Sequence, residues 1–160
     1  MLKEYVGSQD EPMVCKEVAM KVVIIGGVAA GATAATRLRR LDERAEIVML
    51  DKGPHVSFSN CSLPFRLSGT VEDTGKLVMM TPQAFAARYR IGARVNSEAV
   101  AIDRDSRTVR VRNLDDGTEY DESYDKLILS PGARAIVPPI PGVDQADVFT
   151  LKTVTDVDRL

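Results

Sequence analysis

Val22-Val23-Ile24-Ile25 runs straight into Gly26-Gly27-Val28-Ala29-Ala30-Gly31, an alanine-rich segment follows, and a second apolar run, Ile47-Val48-Met49-Leu50, closes on Asp51. From Lys21 to Asp51 the order is strand, glycine turn, helix, strand, acid. Such a turn brings backbone N–H groups to the positive end of a helix, where a pyrophosphate is stabilised, and the acid accepts hydrogen bonds from a ribose. Asp51 stands twenty positions beyond Gly31, the spacing that arrangement requires. The stretch therefore predicts a βαβ unit of an α/β fold with a parallel sheet and a dinucleotide site. One position departs from G-x-G-x-x-G: Val28 occupies the middle glycine, so the backbone approaches the pyrophosphate past a side chain.

Working outward, the helix after the turn carries Ala30, Ala34, Leu38 and Leu41 at helical spacing, which predicts one narrow apolar stripe against the sheet. Arg37, Arg39 and Arg40 fall on other faces and read as a solvated surface, with the last two suited to the negative end of the helix dipole.

The chain has 160 residues, enough for one domain with a core of its own. Composition is that of a globular protein, 44% hydrophobic and 28% charged, with few aromatics and no tryptophan. A net charge of -2 argues against nucleic acid as a main partner, because phosphate-tracking surfaces are basic. No run is long and apolar enough to cross a bilayer. Cys15 and Cys61 make neither a disulfide framework nor a metal-ligand cluster, which points to a reducing, cytoplasmic setting.

Residues 1–19 read as a flexible extension, interrupted by Glu4, Asp10, Glu11 and Pro12 and lacking the apolar centre of a signal peptide. Met20, directly before the first strand, is the expected biological start. Cys15 reads as an incidental exposed thiol. Between Gly53 and Gly69 the pattern is irregular and leads to a cysteine just before a short helix. Thr81-Pro82 reads as an N-cap with proline at the first helical position, and Gln83 to Arg90 as a scaffold helix. Ala99 to Ile102, Thr108 to Arg112 and Glu119 to Tyr124 predict an inserted antiparallel β meander, the last two strands joined by a turn at Asp115-Asp116-Gly117. Lys126 to Leu129 is a further buried strand, ending at Ser130-Pro131-Gly132-Ala133. After the stiff connector Pro138-Pro139-Ile140-Pro141-Gly142, residues 148–160 suggest a strand and a first helical turn.

Cys61 is the residue best suited to redox or nucleophilic work. A helix beginning near it favours thiolate over thiol, and the Asn60 amide with the Ser57 and Ser62 hydroxyls are candidate donors. With no second cysteine near in sequence, its chemistry runs through a mixed disulfide, persulfide or sulfenic acid at one sulfur. A buried cysteine of no chemical role is the competing reading. His55, the only histidine, reads as an exposed loop residue, and Arg66 as a surface residue or an anion contact.

Taken together, Val22 to Gly31, Ser57-Phe58-Ser59-Asn60-Cys61-Ser62-Leu63-Pro64-Phe65, the Thr81-Pro82 helix and Glu122 to Ala133 resemble the FAD-binding part of single-cysteine pyridine nucleotide-disulfide oxidoreductases. Within that group the chain is most similar to coenzyme A disulfide reductases and NADH-dependent persulfide reductases. The resemblance implies a Rossmann-like FAD-binding domain over residues 20–136, with a linker and the start of an NAD(P)H-binding domain over 137–160. It implies that Gly26, Gly27, Val28, Ala29, Ala30 and Gly31 hold the FAD pyrophosphate, since the group tolerates a nonglycine at Val28. Asp51 would hold the adenosine ribose, with Lys52 beside it and Val100 at the adenine, while Ser130, Pro131, Gly132 and Ala133 pass close to the cofactor. Ser57, Asn60 and Cys61 would line the flavin's redox face. Ser62, in place of a small glycine or alanine, and Phe65-Arg66, in place of tyrosines, are departures that bear on the substrate.

The implied activity is NAD(P)H-dependent reduction of a small disulfide or persulfide of coenzyme A type, with NADH or NADPH as reductant, in a soluble homodimer. The second glycine-rich turn, the late acidic segment and the dimerisation domain of that family are not among these residues. The expectation is thus a truncated two-dinucleotide-binding fold that by itself lacks turnover and binds FAD weakly or not at all. The alternatives are an NADH oxidase or peroxidase of the same superfamily, a nonenzymatic nucleotide-binding module and a single-domain NAD-binding protein.

Overall fold

The computed structural model describes residues 3–6, 14–17, 19–144 and 147–160. Strands β1 (Lys3–Val6) and β2 (Val14–Glu17) pair antiparallel as a sheet of their own, Lys3 opposite Glu17. Two tetrapeptides of the expected flexible extension thus form a ribbon; the exposure of Cys15 lies outside what is described.

The organising stretch folds as β3 (Lys21–Ile25), α1 (Ala29–Leu41) and β4 (Glu46–Leu50). A 3₁₀ turn at Asn60–Ser62, α2 (Leu63–Leu67), a second 3₁₀ turn at Thr74–Leu77 and α3 (Pro82–Tyr89) follow. Then come β5 (Ile91–Arg94), the meander β6 (Ser97–Asp103), β7 (Thr108–Asn113) and β8 (Glu119–Ser123), β9 (Lys126–Leu129) and α4 (Val154–Arg159). The parallel sheet has the order β5-β4-β3-β9, and the meander β6-β7-β8 is antiparallel.

Alternation along the strands builds three layers, because successive side chains point to opposite faces and a parallel sheet is covered on both. Val22, Ile24, Ile47 and Met49 face the helices, packing with Ala32 and Ala35 of α1 and Phe85 of α3. Val23, Val48 and Leu50 face the other way, against Val109 and Val111 of β7. A third core gathers Phe58, Leu63, Leu77, Val154 and Val157, so α4 docks on the segment that carries Cys61. The meander is tied to the parallel sheet by Glu122, buried on β8, whose carboxylate pairs with Lys21 of β3 at 2.6 Å and with Arg94 of β5.

Thr81 caps α3 as its sequence predicts, its hydroxyl accepting from the Ala84 N–H at 3.2 Å. The stripe on α1 differs from expectation. Gly31, Ala32, Ala35 and Arg39 are the buried positions and Leu38 packs beside them, whereas Ala30 and Leu41 face solvent. The helix is rotated because Gly31 must turn toward β3, and alanines on both flanks fit either orientation. Arg39, read as solvated, is only 8% exposed. Its guanidinium donates to the carbonyls of Tyr89 (2.7 Å), Asp42 (3.2 Å), Glu43 (2.7 Å) and Arg90 (2.9 Å), locking the C-terminal ends of α1 and α3 together. Burial, then the neighbouring Arg90 charge, lowers its pKa from the ordinary arginine value. Residues 148–160 hold no strand; α4 is opened by a capping box between Thr153 and Asp156. Among the described residues no helix is long and apolar enough to cross a membrane.

Candidate active site

The glycine loop is set by contacts that leave no room for a side chain at two positions. Gly26 has φ of +97°, and a Cβ there would lie 2.0 Å from the Ser130 carbonyl oxygen. A Cβ on Gly31 would lie 1.7 Å from the Gly26 carbonyl oxygen, so only glycine lets α1 approach the end of β3. Ser130 seals the junction: its N–H donates to the Ile25 carbonyl at 2.8 Å, and its hydroxyl lies 3.0 Å from both the Ile25 and Gly26 carbonyls.

Asp51 closes the loop from the other side. One carboxylate oxygen accepts from the Gly27 N–H and the other from the Gly53 N–H, each at 2.8 Å. The acid expected at the ribose is therefore also the brace of the glycine turn. Val28, the departure at the middle glycine, turns its side chain into the third core beside Phe58 and Leu63. The N-terminus of α1 has no acid in its first turn and, among the described residues, no side-chain cap. Its first N–H groups lack intrahelical acceptors, and their positive end suits an anion.

The cysteine segment is built onto this loop. The Ser57 N–H donates to the Gly27 carbonyl at 2.8 Å, and the Ser57 carbonyl accepts from Met79 at 2.9 Å. Ser57 adopts the left-handed conformation at φ of 50°, uncommon for a nonglycine residue. Two residues on, Ser59 leads into the 3₁₀ turn that bears Cys61, and Pro64 stands in the first turn of α2. Cys61 is exposed, which excludes a buried structural cysteine. Its sulfur lies 3.2 Å from the Ser59 hydroxyl, and that hydroxyl lies 2.7 Å from the Ser62 hydroxyl. Hydrogen bonding from Ser59, and next from Ser62, holds the Cys61 pKa below its ordinary value. A lowered pKa at an accessible sulfur is the setting of a reactive thiolate. Among the described residues, Asn60 Oδ1 is a buried acceptor with no hydrogen-bond partner.

The αβ elements thus bring together Gly26, Gly27, Gly31, Asp51, Ser57 and Ser130, with Cys61 on the adjoining turn. They leave others apart. Lys52 and residues 131–133 are exposed beside that group. Val100 sits at the irregularity between Ala99 and Ala101 in the β6–β7 register, 37% exposed and outside the three cores. No hydrogen bond from Ser57 to the sulfur is found among the described residues; Ser59, which sequence reading passed over, takes that place. Its signal was an n, n+2 hydroxyl beside a cysteine, legible only once the backbone turns. His55 is half-buried, and Arg66 donates to the Thr74 hydroxyl at 3.2 Å, which itself reaches Asp158 on α4 at 3.1 Å.

The sequence profile described as pyridine nucleotide-disulphide oxidoreductase matches residues 20–160. The chain belongs to this family. A coenzyme A disulfide reductase of Staphylococcus aureus is 39% identical over 140 residues, 88% of this chain and 31% of that protein. Reduced CoADR-RHD of Bacillus anthracis is similar at 44% identity and a TM-score of 0.85, over 89% of this chain and 26% of its own. A NAD-dependent persulfide reductase from A. fulgidus is similar at 35% identity and a TM-score of 0.81, over 88% of this chain and 26% of its own. The chain thus spans about a third of the length of the curated relatives it matches. The oxidoreductase family accounts for the α/β architecture with its inserted antiparallel sheet, as expected from the resemblance.

Proposed function

We propose that this chain is the FAD-holding part of an NAD(P)H-dependent reductase of small disulfides or persulfides, of coenzyme A type, working through the single sulfur of Cys61 in a homodimer. The observation that carries it is the physical join between the two halves of the site. The glycine loop and the cysteine segment share the Gly27–Ser57 hydrogen bond at 2.8 Å and the Val28 packing, which supports reading the loop and the polarised, exposed thiol as parts of one site.

The residues present fit FAD. Gly31 lets the start of α1 lie hard against the end of β3 and, among the described residues, the α1 N-terminus has no side-chain cap and Asn60 Oδ1 is a buried acceptor without a hydrogen-bond partner. In this reading the backbone of Gly26, Gly27, Val28, Ala29, Ala30 and Gly31 would hold the pyrophosphate. Asp51, already braced by two N–H groups, would accept from the ribose, with Lys52 and Val100 toward the adenosine. Ser130, Pro131, Gly132 and Ala133 would border the cofactor. Bound there, FAD supplies the passage of two electrons from NAD(P)H to sulfur.

The chain's own chemistry is thiol–disulfide exchange. The Cys61 thiolate attacks one sulfur of the substrate; a new S–S bond forms as the old one breaks, and the second substrate sulfur leaves as thiolate. Ser57 and Asn60 shape the wall beside the sulfur.

A chimera that continues this chain with the remaining two thirds of the Staphylococcus aureus relative tests the proposal. It is expected to carry flavin and to release thiol from coenzyme A disulfide at the expense of NAD(P)H. Its Cys61→Ser variant should keep the flavin and lose the thiol release. Flavin retained with thiol release undiminished in Cys61→Ser defeats the proposal.

A further inference from the structure

Cys61 does not stand alone on its turn: the 3₁₀ geometry of Asn60–Ser62 folds two hydroxyls onto its sulfur side. Ser59 Oγ lies 3.2 Å from Cys61 Sγ and 2.7 Å from Ser62 Oγ, three polar atoms in a chain. The spacing is local and held by backbone bonds that do not involve the hydroxyls. The Ser59 N–H donates to the Leu77 carbonyl at 2.9 Å, and the Ser62 N–H to the Ser59 carbonyl at 3.2 Å. Leu63, the next residue, is buried in the third core and anchors the far end.

We infer that Ser59 and Ser62 form a hydroxyl relay that sets the reactivity of Cys61, with Ser59 the catalytic donor to the sulfur and Ser62 a positioning residue acting through it. The inference rests on the proposed reductase chemistry for its purpose, and on the two distances for its existence. In the thiolate state the protons are fully assigned: the Ser62 O–H donates to Ser59 Oγ, and the Ser59 O–H donates to the sulfur. With Ser62 donating to it, Ser59 is a stronger donor, since hydrogen bonds in a chain polarise one another. When the sulfur is protonated, its S–H turns to Ser59 Oγ, and the chain then holds three protons for two contacts, so one hydroxyl proton turns outward and the relay favours the thiolate.

The functional consequence follows from how thiol pKa enters exchange. A lower pKa gives more thiolate and a better leaving group, but a less nucleophilic one. The relay therefore favours the step in which Cys61 is released from a mixed disulfide or persulfide, at some cost to its rate of attack. That assigns Ser62, a departure from the small residue usual at this position in the resembling group, a place in the chemistry.

The experiment is the pH profile of iodoacetamide alkylation of Cys61, followed by mass spectrometry of its own peptide so that Cys15 does not contribute, on the chain without flavin or nicotinamide. Ser59→Ala is expected to raise the midpoint, to lower the rate severalfold near neutral pH, and to raise the plateau rate at high pH, because the thiolate left behind is more nucleophilic. Far-UV circular dichroism of Ser59→Ala must match wild type, because unfolding would also return the thiol to its ordinary pKa and raise midpoint and plateau together. Ser59→Thr, which keeps the hydroxyl, should restore the profile. Ser62→Ala should raise the midpoint less, and the Ser59→Ala/Ser62→Ala pair should shift less than the two single changes added together. A wild-type midpoint in Ser59→Ala overturns the relay, and so do fully additive shifts, which make Ser62 an independent donor. Either failure leaves the reductase proposal standing, since that is tested by thiol release in the chimera.

Discussion

Replacing Arg39 by methionine removes the clamp that joins the ends of α1 and α3 while keeping most of the apolar stem. Four carbonyls lose a charged donor, at distances of 2.7, 3.2, 2.7 and 2.9 Å. At about 1.5–3 kcal/mol for a hydrogen bond to a charged group, four of them amount to roughly 6–12 kcal/mol, an upper bound. Two effects reduce it. Burying the guanidinium carries its own desolvation cost, which the substitution relieves. The carbonyls lie at helix ends, where water can take the place of the lost donor. A net loss of about 3 kcal/mol is expected, which at about 2–4 °C per kcal/mol for a chain of this size lowers Tm by about 6–12 °C. Arg39→Lys should fall between, at about 2 kcal/mol, because a compact ammonium cannot reach acceptors from two helices as a planar fork does. Urea unfolding followed by far-UV circular dichroism measures both, with the exposed Arg37→Ala and Arg40→Ala as controls expected within about 0.5 kcal/mol of wild type. If Arg39→Met costs no more than Arg40→Ala, the clamp contributes nothing and the reasoning fails.

Gly31→Ala places a methyl 1.7 Å from a backbone oxygen, so α1 must shift. A loss of about 1–3 kcal/mol or more by scanning fluorimetry is expected, with flavin lost from the chimera; an unshifted Tm and full flavin content would contradict the close approach. Glu122 is held ionised below the ordinary carboxylate value: burial opposes the charge, but hydrogen bonds from Lys21 and Arg94 outweigh it. A depressed folded pKa contributes stability that is present above the unfolded value of about 4.3 and is lost as pH falls through the folded one. Lys21 is shifted up, chiefly by its hydrogen bond to Glu122, so its part is present below about 10.4 and fades as pH rises through its folded value. Glu122→Gln should therefore lower stability across the neutral range and flatten the acid limb of the stability–pH curve measured by urea titration. An acid limb as steep as wild type would show that the Glu122 charge does not link the meander to the sheet.

Much of the fold was legible because it depends on short-range rules. Burial on both sheet faces makes Val22 to Ile25 and Ile47 to Leu50 continuous apolar runs; the strands end where these runs end and each begins one residue earlier, at Lys21 and Glu46. The Thr81 cap, the Asp115-Asp116-Gly117 turn and the existence of a strand at Lys126–Leu129 carry local chemistry that needs no partner to be recognised, but that strand, expected to be buried, is half-exposed because it lies at the sheet edge, with Leu129 60% exposed. The face of α1 was not legible, because alanine is equally at home on either side of a helix and the deciding contact, Gly31 against Gly26, lies across a turn. Arg39 was misread for a related reason: an arginine near a helix end looks solvated until a second helix brings carbonyls to it.

The candidate site divides in the same way. The residue types at the glycine turn, Asp51 and Cys61 follow from sequence, since each has a chemistry that few other residues supply. Which groups touch is a tertiary matter. Asp51 braces Gly27, Ser130 seals the loop from 104 positions away, and Val28 turns into the core beneath the cysteine segment. By itself the sequence determined that a glycine turn at the start of a helix and a cysteine before a short helix occur in one α/β chain. Only the tertiary structure decided that the two are one unit, and that Ser59 rather than Ser57 faces the sulfur. Hydrogen bonds depend on distances of a few tenths of an ångström between groups whose directions are set by the packing of the whole domain.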